Sequence, residues 1–192
     1  MSYLTKTDEV YAFVYRGLLT RQAMNKSSKS NPEGDIAKRL PFELIEDDHL
    51  DKAERMAVVY KAVSSFERSV RTFIKSRLLD PEVVGEDWWE KCVPEKRRTK
   101  AESRKDEENK IRYHAKRGDG LLDYTEIEDL SAIIVTNQEH FKDFIPDIEW
   151  AKHIFKSVEH SRNIIMHSGE LEPEDIERLG MVMRDWLHQV GG

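Results

Sequence analysis

"IEWAKHIFKSVEHSRNIIMHSG", residues 148–169, decides how this chain folds. Its apolar residues Ala151, Ile154, Phe155, Val158 and Ile165 recur at spacings of three, four and seven. That is the stripe of an amphipathic helix packed on a core. Asp147, just after Pro146, is a natural first-turn cap, and Ser168-Gly169 marks the end. Arg162 breaks the rule. It falls four after Val158 and three before Ile165, inside the apolar stripe. A permanent charge there is expensive unless it is paired, or unless the seam opens to solvent or to another chain.

The same periodicity runs outward in both directions. From about Asp48 to Leu79, Met56, Val59, Val63, Phe66, Val70 and Phe73 alternate by three and four. They predict a long helix with a packing seam, stopped by Asp80-Pro81. Within it Glu67 and Arg71 are four apart and can pair on one face, either as a surface bridge or as a polar pair behind a site. A last helix is expected from Pro173 to Val190, with Ile176, Leu179, Met183, Trp186, Leu187 and Val190 on one side. Thr125, with Glu128 three on, reads as a capping box for a short helix over 126–137. "GDGLLDY" reads as a turn, and Phe141, Phe144 and Ile145 as apolar anchors of a connector. Trp88 and Trp89 are neighbours, so on a helix they point about 100° apart. They are expected to pack in the core or under a lid rather than serve one pocket. No segment shows a strand pattern that its helical reading does not also explain. The expected fold is an all-α bundle.

The N-terminal region is different. "TDEVYAFVYRGLLTRQAM" predicts a first helix from Thr7 with Val10, Phe13, Val14 and Leu18 in its stripe. Residues 25–35 are rich in Ser, Asn, Pro and Gly and read as a loop. Residues 1–45 are therefore expected to be a helical arm and linker, able to pack on the body or to hold a partner protein. Residues 46–192 form the main domain.

Charge is unevenly distributed. Residues 91–117 hold eleven Lys or Arg against five Asp or Glu, a local +6 in a chain of formal charge −6, so the rest carries −12. This is a solvated helical excursion or an electrostatic track for phosphates. On the second reading Lys96, Arg97, Arg98, Lys100, Arg104, Lys105, Arg112, Lys116 and Arg117 are the RNA-binding candidates. A single cysteine, Cys92, excludes a disulfide framework within the chain and a cysteine metal site. No carboxylate cluster has ligand spacing, so no metal or cofactor is expected. No apolar run reaches the length of a membrane span, and a cytoplasmic protein is expected.

His167 follows Arg162 by five residues, which turns it about 140° away on an ideal helix. One rigid helix would not aim both side chains at one point. Either the last turn unwinds, or the two residues meet across a two-fold axis between copies. The ordinary alternatives are that Arg162 pairs with Glu67, another buried acid or water, and that His167 answers the helix dipole.

Arg162-Asn163 followed by His167, late in a helical bundle, resembles the HEPN superfamily, the higher eukaryote and prokaryote nucleotide-binding domains. "SSFERSVRTFI", "EDWW", "LLDYTEIEDLSAII", "FKDF" and "SVEHSRNIIMHSG" follow in that order. Over about 50–190 they resemble the subgroup found beside a PIN-type ribonuclease in a yeast nuclear mRNA-surveillance protein. The resemblance implies a HEPN-like bundle and a homodimer with the motif helices at its two-fold axis. It implies metal-independent endoribonuclease activity in toxin–antitoxin, antiviral defence or RNA-processing roles. The alternative is a non-catalytic module that binds RNA, nucleotide or a partner. On the catalytic reading His167 moves protons, Arg162 stabilises the phosphorane and Asn163 orients the phosphate or His167. Glu67, Arg71 and His160 are supporting candidates.

Overall fold

A computed structural model describes residues 32–191. Among these residues there are helices and no strand. The predicted helix from Thr7 lies outside them. The chain divides into two compact units at Leu50–Asp51. In the first, α1 (Pro32–Ala37) precedes a 3-10 turn at Phe42–Leu44. The loop expected over 25–35 is thus helical from Pro32 onward, where Pro occupies the first helical position and its missing N–H costs nothing. Ile36, Leu40, Phe42, Leu44 and Ile45 are all exposed in this unit.

The second unit is the bundle. Its elements are α2 (Asp47–Leu79, which begins just before the division), α3 (Trp88–Cys92), α4 (Glu95–Lys110), a 3-10 turn (Leu121–Tyr124), α5 (Ile127–Thr136), α6 (Gln138–Phe141), α7 (Ile148–Met166) and α8 (Pro173–Gly191). In α2 the buried residues are Met56, Val59, Val63, Phe66, Val70, Ile74 and Leu78. Phe73, expected in the seam, is only partly buried, and Ile74 replaces it. An ideal helix drifts about 20° per heptad against a strict seven-residue repeat, so over 33 residues the seam shifts to steps of four.

The core centres on Trp186, which is fully buried. It meets Phe155 at 4.9 Å and Phe66 at 6.2 Å edge-on, and Trp150 stacks on it at 6.0 Å. Such pairs add about 0.5–1.5 kcal/mol each beyond area burial. On α8 the buried face is Leu179, Val182, Met183 and Trp186. Ile176 and Leu187, expected on it, are exposed: Leu187 turns about 100° away from Trp186, and Ile176 lies in the first turn of the helix.

The Thr125 capping box is displaced by one residue. The cap of α5 is Glu126, and it is Asp129 that accepts the Glu126 N–H at 2.9 Å. Thr125 instead closes the preceding 3-10 turn, its hydroxyl donating to Leu122 O at 2.7 Å. Asp147 caps α7 as expected, accepting from the N–H groups of Glu149 and Trp150. At the other end of α7, Ser168 has φ of 61°. Gly169 N–H bonds Ile164 O at 2.8 Å, and Ser168 N–H bonds Ile165 O at 3.0 Å. This is a Schellman stop with serine, not glycine, in the left-handed position. Gly169 is required for a different reason: a Cβ there would lie 2.9 Å from Ile164 O.

Candidate functional site

The stop in α7 settles one question about the motif. The helix stays regular through Met166, and His167 is its cap, with its N–H still bonded to Asn163 O and Ile164 O. The last turn does not unwind, so within one chain Arg162 and His167 remain on different sides of α7. Asn163 and His167 are exposed, as is His160, and Arg162 is half-buried. The His167 ring makes no hydrogen bond with a described residue.

Arg162 is held. Its Nε lies 3.0 Å from Glu67 Oε1, with side-chain exposures of 29% and 13%. The other Glu67 oxygen takes Arg71 Nη2 at 3.2 Å. Arg71 also donates to Thr125 O at 2.8 Å and Leu122 O at 3.3 Å. Glu67 is therefore a bridge between two guanidiniums, and Arg71 ties that bridge to the 121–125 turn. The exposure at Arg162 is low enough for the pair to matter and high enough for its outer edge to meet a ligand. That edge is lightly engaged: Nη1 donates to Asn163 Oδ1 at 3.3 Å. Nε is thus engaged by Glu67, while the Nη side has only the long Asn163 contact. Burial and the nearby Glu128 push the Glu159 carboxyl, one turn before Arg162, above its ordinary range, with Arg162 opposing them.

Residues 95–110 of the basic segment form a regular helix, α4, with only Ala101 buried, and 111–117 follow it outside any helix. Much of its charge is spent within the chain. Arg97 pairs with Asp129 at 2.6 Å and Glu128 at 2.7 Å. Lys100 pairs with Glu126 at 3.0 Å, and Arg104 with Glu126 at 2.5 Å. Arg117 pairs with Glu108 at 2.7 Å, while Lys105, Arg98 and Lys116 donate to Asp119 O, Glu90 O and Asn109 Oδ1. Lys96 and Arg112 are exposed and make no such bond with a described residue. Burial raises the Glu126 carboxyl, but hydrogen bonds from Arg104 and Lys100 outweigh it and bring the pKa to about 2. The Arg97 hydrogen bond lowers Glu128, and Arg97 is raised in return. Asp129 is 1% exposed and carries the centre of this cluster. Residue order alone does not mark these acids at the start of α5 as partners of the basic segment. The sequence signal for them is the −12 carried outside the basic segment.

The Swt1-like HEPN family matches residues 61–191. The chain belongs to this family. No curated protein and no solved structure matches it. In this Swt1-like HEPN chain the matched span contains Glu67, Arg71, Arg162, Asn163 and His167. Among the described residues no group of His, Cys, Asp and Glu is placed to hold a metal ion, and no helix is long and apolar enough to cross a membrane.

Trp88 and Trp89 pack in the core as expected, and differ from expectation only in sharing a cleft. Both are 8% exposed, set edge-to-face at 5.5 Å, yet both border one cleft. Their faces are too buried to serve as open stacking platforms. Cys92, next on α3, is buried, and burial raises its thiol pKa, which keeps it unreactive.

Proposed function

We propose that this chain is a metal-independent endoribonuclease whose site is assembled from two copies. The observation that carries the proposal is Arg162, fixed by Glu67 with its Nη edge outward, on a regular helix that turns His167 away from it. In one chain the two groups do not converge. Two antiparallel α7 helices across a two-fold axis would set the Arg162 of each copy against the His167 of the other.

The chemistry follows from the groups. The ribose 2′-OH attacks the adjacent phosphorus. The His167 imidazole can take that proton near neutral pH, and the imidazolium so formed can return it to the departing 5′ oxygen. Charge builds on the phosphorane, where the Arg162 guanidinium donates two hydrogen bonds. Asn163, already bonded to Arg162, orients the phosphate. The products are a 2′,3′-cyclic phosphate and a 5′-OH, and the role is in defence, toxicity or RNA processing. Lys96 and Arg112 remain as candidates for RNA attraction, and residues 1–45 for a protein partner.

The test is purified protein with RNA in EDTA, comparing wild type, Arg162→Ala and His167→Ala. Cleavage by wild type alone supports the reading. Identical RNA from wild type and His167→Ala rejects it. One observation favours a non-catalytic module instead: Glu67 already neutralises Arg162, and no described residue orients the His167 ring. That module would bind RNA across a salt series without cutting it.

A further inference from the structure

A cleft of about 730 Å³ opens beside the Arg162–Glu67–Arg71 bridge, within the range of about 300–1,000 Å³ typical of small-ligand sites. One wall is α2, which presents Arg68, Arg71, Thr72 and Lys75. Glu67, Arg71 and Lys75 are four apart in turn, so they form one ridge that leads from Arg162 into the cleft, spanning about 12 Å. Arg68 and Lys75 are exposed, and neither side chain makes an ion pair or hydrogen bond with a described residue. A second part of the lining carries Trp88 and Trp89 between Glu86 and Glu90, and the 118–123 turn adds Asp119 and Asp123, the latter accepting the Gly120 N–H at 3.1 Å. The Glu86 and Glu90 carboxylates likewise pair with no described residue. Trp89 Nε1–H is buried and has no acceptor in the structure.

The two walls ask for different things. Unpaired cations on α2 suit phosphates. Unpaired carboxylates suit a group that presents hydrogen-bond donors on one edge. A plain polyanion would satisfy the first wall and be repelled by the second. A nucleotide of single-stranded RNA satisfies both, with its backbone on α2 and its base edge toward α3. Carboxylates accept from exocyclic amino groups, as cytosine N4 offers, and reject the O4 acceptor of uracil.

We infer that this cleft is a base-reading subsite, holding a nucleotide that flanks the scissile phosphate and favouring an amino-bearing base over uracil. The inference rests on the nuclease reading for the identity of its ligand. Arg68 and Lys75 position the strand, and Glu86 and Glu90 select the base.

The experiment uses the full chain carrying His167→Ala, so that the probe survives, and two RNA probes, C12 and U12, read by fluorescence anisotropy across a salt series. C12 should bind about tenfold tighter than U12. Glu86→Gln/Glu90→Gln should erase that preference, and Arg68→Ala/Lys75→Ala should weaken both probes and reduce the salt slope by about 1.4. All four side chains are exposed, so folding should survive, which circular dichroism checks. Equal binding of C12 and U12, or a preference that persists in the double glutamine variant, overturns the subsite. If the full pattern appears but the chain with His167 intact never cuts RNA, the subsite stands and the nuclease reading falls. If His167-dependent cleavage occurs while all cleft variants bind as the parent does, the nuclease reading stands and the subsite falls.

Discussion

Replacing Glu67 with glutamine removes one charge from between two arginines while keeping the side chain's shape. Glu67 is 13% exposed, Arg71 20% and Arg162 29%. Breaking a fully buried pair costs about 3–5 kcal/mol, and an exposed pair contributes about 0.2–1 kcal/mol. These groups lie between those limits, and Arg71 keeps Thr125 O and Leu122 O as partners. We expect a loss of about 2 kcal/mol, which in a chain of this size lowers Tm by about 4–8 °C. Urea unfolding at 25 °C, followed by circular dichroism, measures the loss directly. A double-mutant cycle with Arg162→Ala then isolates the pair, and we expect a coupling near 1 kcal/mol. The effect on cleavage should appear in kcat, since Glu67 orients Arg162 and does not touch RNA. A Glu67→Gln chain with unchanged Tm, or a coupling within about 0.3 kcal/mol of zero, would refute the claim that Glu67 holds Arg162.

Three further outcomes are expected. Asp129→Asn leaves Arg97 short of its most buried partner and should cost about 2–4 kcal/mol, whereas Glu128→Gln, at a side chain 54% exposed, should cost under about 1 kcal/mol; chemical denaturation of both compares them. The folded pKa of Glu126 is depressed to about 2 from 4.5, so its contribution is present above about pH 4.5 and is lost as pH falls toward 2. With 39% of that side chain exposed, screening trims the effect to about 1 kcal/mol, and Glu126→Gln should flatten that part of a stability–pH curve. Ser168→Gly should raise stability by about 1 kcal/mol by relieving the left-handed backbone, while Gly169→Ala should lower it by about 1–3 kcal/mol through the approach to Ile164; thermal unfolding reads both.

The helical parts of the fold could be read from sequence where one face meets one neighbour. In α7 the cap, the stop and most of the buried stripe follow from residue order; Ile165 is only partly buried, Ser161 is buried in the stripe, and the roles of Ser168 and Gly169 differ from the simplest reading. Legibility fails where geometry accumulates or where distant segments meet. The slip from Phe73 to Ile74 is helical drift, which a fixed three-four alternation ignores. The shift of the α5 cap from Thr125 to Glu126 depends on Asp129 lying against Arg97 and Arg104, a tertiary fact. The basic segment looked like an open track because its acidic partners lie some thirty residues further along. At the site, the possible Arg162–Glu67 pair was visible from the seam position of Arg162. The cleft was not, because its walls join α2, α3 and the 118–123 turn, and no local pattern records that meeting.

The two-copy site is tested most directly with a purified mixed dimer. One chain carries Arg162→Ala and the other His167→Ala, each with its own tag, and tandem purification keeps only the heterodimer. Each homodimeric variant should be inactive on RNA in EDTA. The heterodimer retains one Arg162 facing one His167 across the axis, and should recover up to about half of wild-type cleavage. A heterodimer as inactive as its parents would contradict the account, since it would mean that Arg162 and His167 do not act across the two-fold axis.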